Sequence, residues 1–79
     1  MNSEITIPGG YAMSRAFIPA LTAASFLGVE LEDISALIQR GALSECGPDC
    51  FDLLRVQNLR ARFDQAGLST REQRRAFSL

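Results

Sequence analysis

The feature that most constrains the fold is a pair of apolar segments, each of which ends at a glycine. The first segment has apolar side chains at helical spacing up to Gly28: Leu21, Ala24 and Leu27. The second has an aliphatic stripe up to Gly41: Leu31, Ile34, Leu37 and Ile38. Glycine adopts the positive φ that ends a helix without steric penalty. The pattern therefore predicts two short helices joined by a tight turn.

Charged and turn-forming residues support both predicted helices. Pro19 suits the first turn of a helix, where its missing N–H is not needed. Three carboxylates, those of Glu30, Glu32 and Asp33, stand where negative charge favours the start of the second helix. The sequence thus predicts that the first helix begins at Pro19 and the second just after Val29.

The rest of the chain predicts a hairpin and two further helices. Residues 43–52 contain a Gly-Pro-Asp turn between two short apolar stretches, which predicts a minimal β-hairpin. Val56, Leu59 and Phe63 share one face of a third helix over residues 54–65. Ser69 and Glu72 have the spacing of a capping box that opens a short fourth helix.

The length of 79 residues allows one small domain. Residues 1–15, with Ile5–Ile7 followed by Pro8–Gly10, predict an N-terminal arm, and residues 16–79 a single domain. The uncharged run over residues 16–29 is too short and too interrupted for a membrane span, so a cytoplasmic protein is expected. The expected fold is mainly α-helical.

Three stretches resemble one family of small domains. Leu21–Val29 resembles the opening of helix-turn-helix domains, and Gly41–Leu43 and Phe51–Leu53 resemble the landmarks that flank the wing in phage excisionases and MerR-like regulators. The resemblance covers about 45 residues. It implies a small winged helix-turn-helix fold that binds DNA, with the second helix in the major groove. A homodimer is expected as well, because one such module contacts little duplex.

All eight basic residues are arginines, and histidine and lysine are absent. Mechanisms that use a histidine base or a lysine Schiff base are therefore excluded within one chain, and no enzyme is expected. Residues 1–50 carry a net charge of −4 and residues 51–79 a net charge of +3. Arginine makes bidentate contacts to phosphate, so the candidate DNA-binding residues are Arg40, Arg55, Arg60, Arg62, Arg71, Arg74 and Arg75. The alternatives are a solvated surface and contact with an acidic protein.

The acidic half suggests a second function of another class. Carboxylates at the start of the second helix oppose the approach of phosphates. In size and charge the chain is similar to phage inhibitors of the anti-CRISPR type, which bind a host nucleic-acid-binding complex and block its DNA site. An acidic surface would bind a basic partner surface, and its candidate residues are Glu30, Glu32, Asp33, Glu45 and Asp49.

Cys46 and Cys50 flank the predicted turn, and three states are open for them. They could form a disulfide, supply half of a zinc site, or remain reduced thiols. Zinc would need two more ligands from carboxylates or from a second copy, because the chain has no histidine. No metal and no cofactor is expected.

Overall fold

A computed structural model describes residues 16–78 as four helices and a two-stranded sheet. In chain order the elements are β1 (Phe17–Ile18), α1 (Ala20–Leu27), α2 (Leu31–Gln39), β2 (Phe51–Asp52), α3 (Leu53–Gln65) and α4 (Arg71–Arg75). The predicted mainly α-helical fold with a minimal antiparallel pair of strands is confirmed. The predicted arm, residues 1–15, lies outside the described residues.

Helices α1 and α2 are joined by a tight turn, as the two glycine-ended apolar segments predicted. Gly28 ends α1 with φ of 70°, and the Val29 N–H donates to the Ala24 carbonyl at 3.0 Å. Glu30 then precedes α2, and its N–H donates to the Asp33 carboxylate at 3.0 Å. The Asp33 carboxylate therefore satisfies a backbone donor at the start of α2, where carboxylates were predicted to favour the helix.

The sheet differs from the predicted local hairpin in its pairing. β2 lies where the second strand was expected, but it pairs with β1, in the register Phe17 with Asp52 and Ile18 with Phe51. Within the turn, Gly47 and Cys50 form a single antiparallel bridge. The segment before the turn does not continue the ladder, because the Leu43 N–H already donates to the end of α2, at the Leu37 carbonyl. The hairpin prediction was wrong about the partner strand.

The capping box of α4 lies one residue later than predicted. Thr70 precedes the helix, and its hydroxyl accepts from the Gln73 N–H at 3.2 Å. The Gln73 side-chain oxygen accepts from the Thr70 N–H, also at 3.2 Å. Threonine and glutamine make the same reciprocal bonds that were predicted for Ser69 and Glu72, so the chemistry was right and the register was wrong.

The core forms where α1 packs against α2 and α3. Its largest fully buried apolar side chains are Phe51, Phe63, Leu27, Leu37 and Val56. Leu43 and Leu59 are also buried, and the Phe77 ring meets Phe63 edge to face at 5.5 Å. The core holds α3 by one face only, so the opposite face of α3 is available to solvent.

No helix within residues 16–78 combines the length and the apolar character that a membrane crossing requires.

Candidate nucleic-acid interface

Arg74, one of the candidate DNA-binding residues, lies inside the fold. Its side chain reaches α1, where one Nη donates to the Leu27 carbonyl at 2.8 Å, and its Nε donates to the Leu68 carbonyl at 2.9 Å. The guanidinium carbon also lies 5.7 Å from the centre of the Phe63 ring. Arg74 is only 9% exposed, so its donors serve the protein interior.

Arg71 joins α4 to the start of α2. Its Nε lies 2.6 Å from an oxygen of Asp33, and its Nη2 lies 2.6 Å from an oxygen of Glu32. The Arg75 Nε is 3.8 Å from the same Asp33 carboxylate. Two acids of the N-terminal half and two arginines of the C-terminal half therefore meet in one ion-pair cluster.

The protonation of this cluster follows from its geometry. The hydrogen bond from Arg71 holds the pKa of the Asp33 carboxyl below its ordinary value, although burial works in the opposite direction. Hydrogen bonds to Asp33 and Glu32 in turn raise the pKa of Arg71. The charged forms of Asp33 and Arg71 are therefore favoured in the folded protein.

Arg60 makes its hydrogen bonds at the protein surface. It donates to the Phe26 carbonyl at 2.9 Å and to the Asp64 carboxylate at 3.3 Å. Both contacts are exposed, and the Asp64 pair is the i,i+4 type that contributes little to stability. Arg60 thus connects α3 to the end of α1.

The other three candidate cations have no such partners in the part of the chain that the structure describes. Arg40, Arg55 and Arg62 are exposed and make no hydrogen bond or ion pair within residues 16–78. Two of them, Arg55 and Arg62, line a cleft of about 220 Å³ together with Ala42, Asn58 and Leu59. We call this feature the cationic cleft.

The cationic cleft follows from helical spacing on α3. Arg55, Asn58 and Arg62 stand at i, i+3 and i+7, which places them on one face of the helix. Asn58 was not among the predicted residues because charge alone selected them, although the same spacing was visible in the sequence. The cleft is smaller than the pockets that enclose drug-sized ligands, so it fits a surface contact better than an enclosed ligand.

The acidic candidates do not form one free surface. Asp33 is buried, and Arg71 donates hydrogen bonds to both Asp33 and Glu32. Asp49 accepts a hydrogen bond from the Ala20 N–H at 2.8 Å, at the start of α1. Glu30 and Glu45 are exposed.

Cys46 and Cys50 are free thiols, the first exposed and the second partly buried. Among residues 16–78, no group of three or more histidine, cysteine, aspartate or glutamate side chains is placed to hold a metal ion.

Comparison with known protein families, with curated protein sequences and with solved structures gave no match.

Proposed function

We propose that the protein is a small, non-enzymatic DNA-binding regulator or accessory protein, and that it contacts DNA through the cationic cleft and Arg40. One observation carries the proposal: Arg40, Arg55 and Arg62 make no internal hydrogen bond or ion pair within residues 16–78, and two of them line one cleft. A guanidinium without an internal acceptor keeps its full charge and its donors for a phosphate.

The position of these residues supports contact with a polyanion. Arg40 directly follows the last residue of α2 and lies two residues before Ala42, which lines the cleft beside Arg55 and Arg62. Asn58 lies between the two arginines on α3 and adds an amide, which can donate to a phosphate or pair with an adenine edge. We therefore expect the contact at the C-terminal end of α2 and along α3, rather than at the acidic start of α2.

The ion-pair cluster also reduces the repulsion that the acidic start of α2 would exert on phosphates. Three carboxylates at the start of α2 would repel phosphates if they were free. Asp33 is buried, and Arg71 bonds both Asp33 and Glu32, so their negative charge is largely compensated locally. Glu30 remains exposed in this region.

The second candidate, an inhibitor that binds a basic host protein through an acidic surface, has less support. Of its predicted residues, Glu32, Asp33 and Asp49 already accept hydrogen bonds inside the chain. Binding of a basic partner there would have to replace these bonds.

Two further expectations belong to the DNA-binding proposal. A homodimer would double the number of arginines on one duplex, because a single module buries a small area on DNA. A cytoplasmic protein is expected, because a DNA-binding regulator acts where the DNA is accessible.

The test is fluorescence anisotropy of a labelled mixed-sequence duplex, titrated at about 50 mM and about 200 mM salt. Three phosphate contacts per chain predict a slope of log K against log salt of about −3. Arg55→Ala and Arg62→Ala should each weaken binding and reduce the slope by about 1.

Arg75→Ala is the matched control, because it removes the same charge from an arginine that is half exposed on α4. It should leave the affinity close to that of the unmodified protein. Equal losses for Arg62→Ala and Arg75→Ala would show a net-charge effect and would contradict the proposed surface. Absence of binding at about 50 mM salt by the folded protein would reject the DNA proposal and direct the search to a basic protein partner.

A further inference from the structure

The five residues from Cys46 to Cys50 fold back on themselves and bring the two cysteines together. The Cys46 N–H donates to the Cys50 carbonyl at 2.7 Å, and the Cys50 N–H donates to the Gly47 carbonyl at 3.2 Å. Pro48 followed by Asp49 with φ of 53° matches the central pair of a type II turn. The backbone therefore already has the reversal that an intramolecular disulfide across this turn requires.

The two thiols are unequal. Cys46 is exposed, whereas Cys50 is partly buried. Burial raises the pKa of the Cys50 thiol, and the neighbouring Cys46 thiol raises it further through its charge and a hydrogen bond. The carboxylates of Asp49 and Asp52 act in the same direction. Cys46 is the more exposed thiol, and the thiolate of Cys50 is disfavoured by its surroundings. Cys46 is therefore expected to react first with a soluble reagent.

We infer that Cys46 and Cys50 form a thiol–disulfide exchange site, which low-molecular-weight disulfides of the glutathione type oxidise to an intramolecular disulfide. The inference does not depend on DNA binding. It rests on the turn that brings the backbones of the two cysteines within hydrogen-bonding distance and on the exposure of Cys46.

The reaction has two exchange steps. The Cys46 thiolate attacks one sulfur of the glutathione disulfide, so that a mixed disulfide forms and one glutathione thiolate leaves. The Cys50 thiolate then attacks the Cys46 sulfur, forms the Cys46–Cys50 bond and releases the second glutathione. Two electrons pass from the protein to the glutathione disulfide, and the two protons lost by the cysteines are taken up by the two released thiolates.

The disulfide would act on the start of α1. Asp49 lies between the cysteines, and its carboxylate accepts from the Ala20 N–H at 2.8 Å. The next element after Cys50 is β2, and the Leu53 N–H donates to the Ala16 carbonyl at 2.9 Å. A covalent link across the turn restricts its opening, so we expect slower hydrogen exchange of the Ala20 amide in the oxidised protein.

The experiment exposes the full chain to glutathione buffers with a rising disulfide fraction, and then blocks free thiols with N-ethylmaleimide before mass spectrometry. The expected product is a monomer that has lost two hydrogens and takes up no N-ethylmaleimide. Cys50→Ser should stop at the mixed disulfide, with one glutathione on Cys46. Cys46→Ser should form its mixed disulfide at least about tenfold more slowly than Cys50→Ser, because Cys50 is less accessible and its thiolate is disfavoured.

The outcomes separate the parts of the inference. Absence of the intramolecular disulfide at the most oxidising ratio, or disulfides only between chains, overturns the exchange site. Equal rates for Cys46→Ser and Cys50→Ser overturn the order of attack. Unchanged exchange of the Ala20 amide after oxidation overturns the connection to α1. Circular dichroism of each serine variant confirms that the reacting protein is folded.

Discussion

Two arginines of α3, Arg55 and Arg62, have the same chemistry as two arginines of α4, Arg71 and Arg74, but serve different purposes. Arg71 and Arg74 reach across to α2 and α1, where carboxylates and carbonyls accept their hydrogen bonds. Arg55 and Arg62 reach no such acceptor within residues 16–78. A count of positive charges along the chain therefore overestimates the cations that are available to a partner.

The lengths of the two helices explain the difference. α4 has five residues, too few for a helix that is stable by itself, and it is held by tertiary contacts of its arginines. α3 has 13 residues and is held by the buried side chains of Val56, Leu59 and Phe63. Because apolar packing holds α3, its polar face is left for other contacts.

The contact between Arg74 and Gly28 adds a steric constraint. Gly28 has φ of 70°, and a Cβ at this position would overlap the Arg74 guanidinium. The glycine thus permits the turn between α1 and α2 and also leaves room for the side chain that attaches α4. Four predictions test the distinction between arginines that bond inside the fold and arginines that are available to a partner.

The largest effect is expected for Gly28→Ala. The alanine would be strained at positive φ and would displace Arg74, so the free energy of unfolding should fall by about 3 kcal/mol. Urea unfolding followed by circular dichroism measures the loss. Gly41→Ala is the control, because Gly41 has φ of 77° and open space where a Cβ would lie, and it should lose only about 1–2 kcal/mol. Equal losses would show that Arg74 does not contribute to the requirement for glycine.

Arg74→Met should be the next most damaging change. Methionine retains much of the side-chain length but leaves the carbonyls of Leu27 and Leu68 without their donor, at a cost of about 2 kcal/mol. Arg75→Met, on the same helix, should change the unfolding free energy by less than about 0.5 kcal/mol. The same urea titration compares them, and similar losses would mean that Arg74 is not the main attachment of α4.

A smaller and pH-dependent effect is expected at Asp33. Its pKa is lowered from 3.8 in the folded protein, so its contribution to stability is complete above that value and is lost as the pH falls through the folded pKa. Asp33→Asn should lower stability at about pH 6 by about 1–2 kcal/mol, because a hydrogen-bonded charge is removed. The variant should also lose less stability than the unmodified protein between about pH 5 and about pH 2. Parallel pH profiles would show that the ion pair with Arg71 is not coupled to folding.

The smallest effect on stability is expected for Arg62→Ala. The side chain makes no hydrogen bond or ion pair in the described part of the chain, so the unfolding free energy should change by less than about 0.5 kcal/mol. Thermal unfolding by calorimetry provides the measurement. A loss above about 1 kcal/mol would show that Arg62 stabilises the fold, as Arg71 and Arg74 do. It would contradict the conclusion that Arg62 is available to a partner.

Local signals in the sequence predicted most of the helices. Gly28 and Gly41 end α1 and α2 as expected, because a positive φ at a helix end is a local requirement. The apolar periodicity of α3 placed Val56, Leu59 and Phe63 in the core, where the structure has them. The capping box of α4 was displaced by one residue, because Thr70 with Gln73 and Ser69 with Glu72 offer nearly the same local chemistry.

The candidate site was predicted only in part. Helical spacing along α3 is enough to align Arg55 with Arg62, and it would have added Asn58. The partners of the other arginines could not be predicted, because Arg71 meets Asp33, and Arg74 meets Leu27, across separations of 38 and 47 residues. The same holds for β2, which pairs with β1 rather than with its neighbours in the chain.

The sequence by itself determined where helices begin and end and which of their faces are apolar, since these properties depend on residues within about four positions of each other. Only the tertiary structure decided which charges are neutralised inside the fold and which strands pair. Ion pairs and strand ladders form between residues that are distant in the chain, and only packing of the core brings such residues within hydrogen-bonding distance.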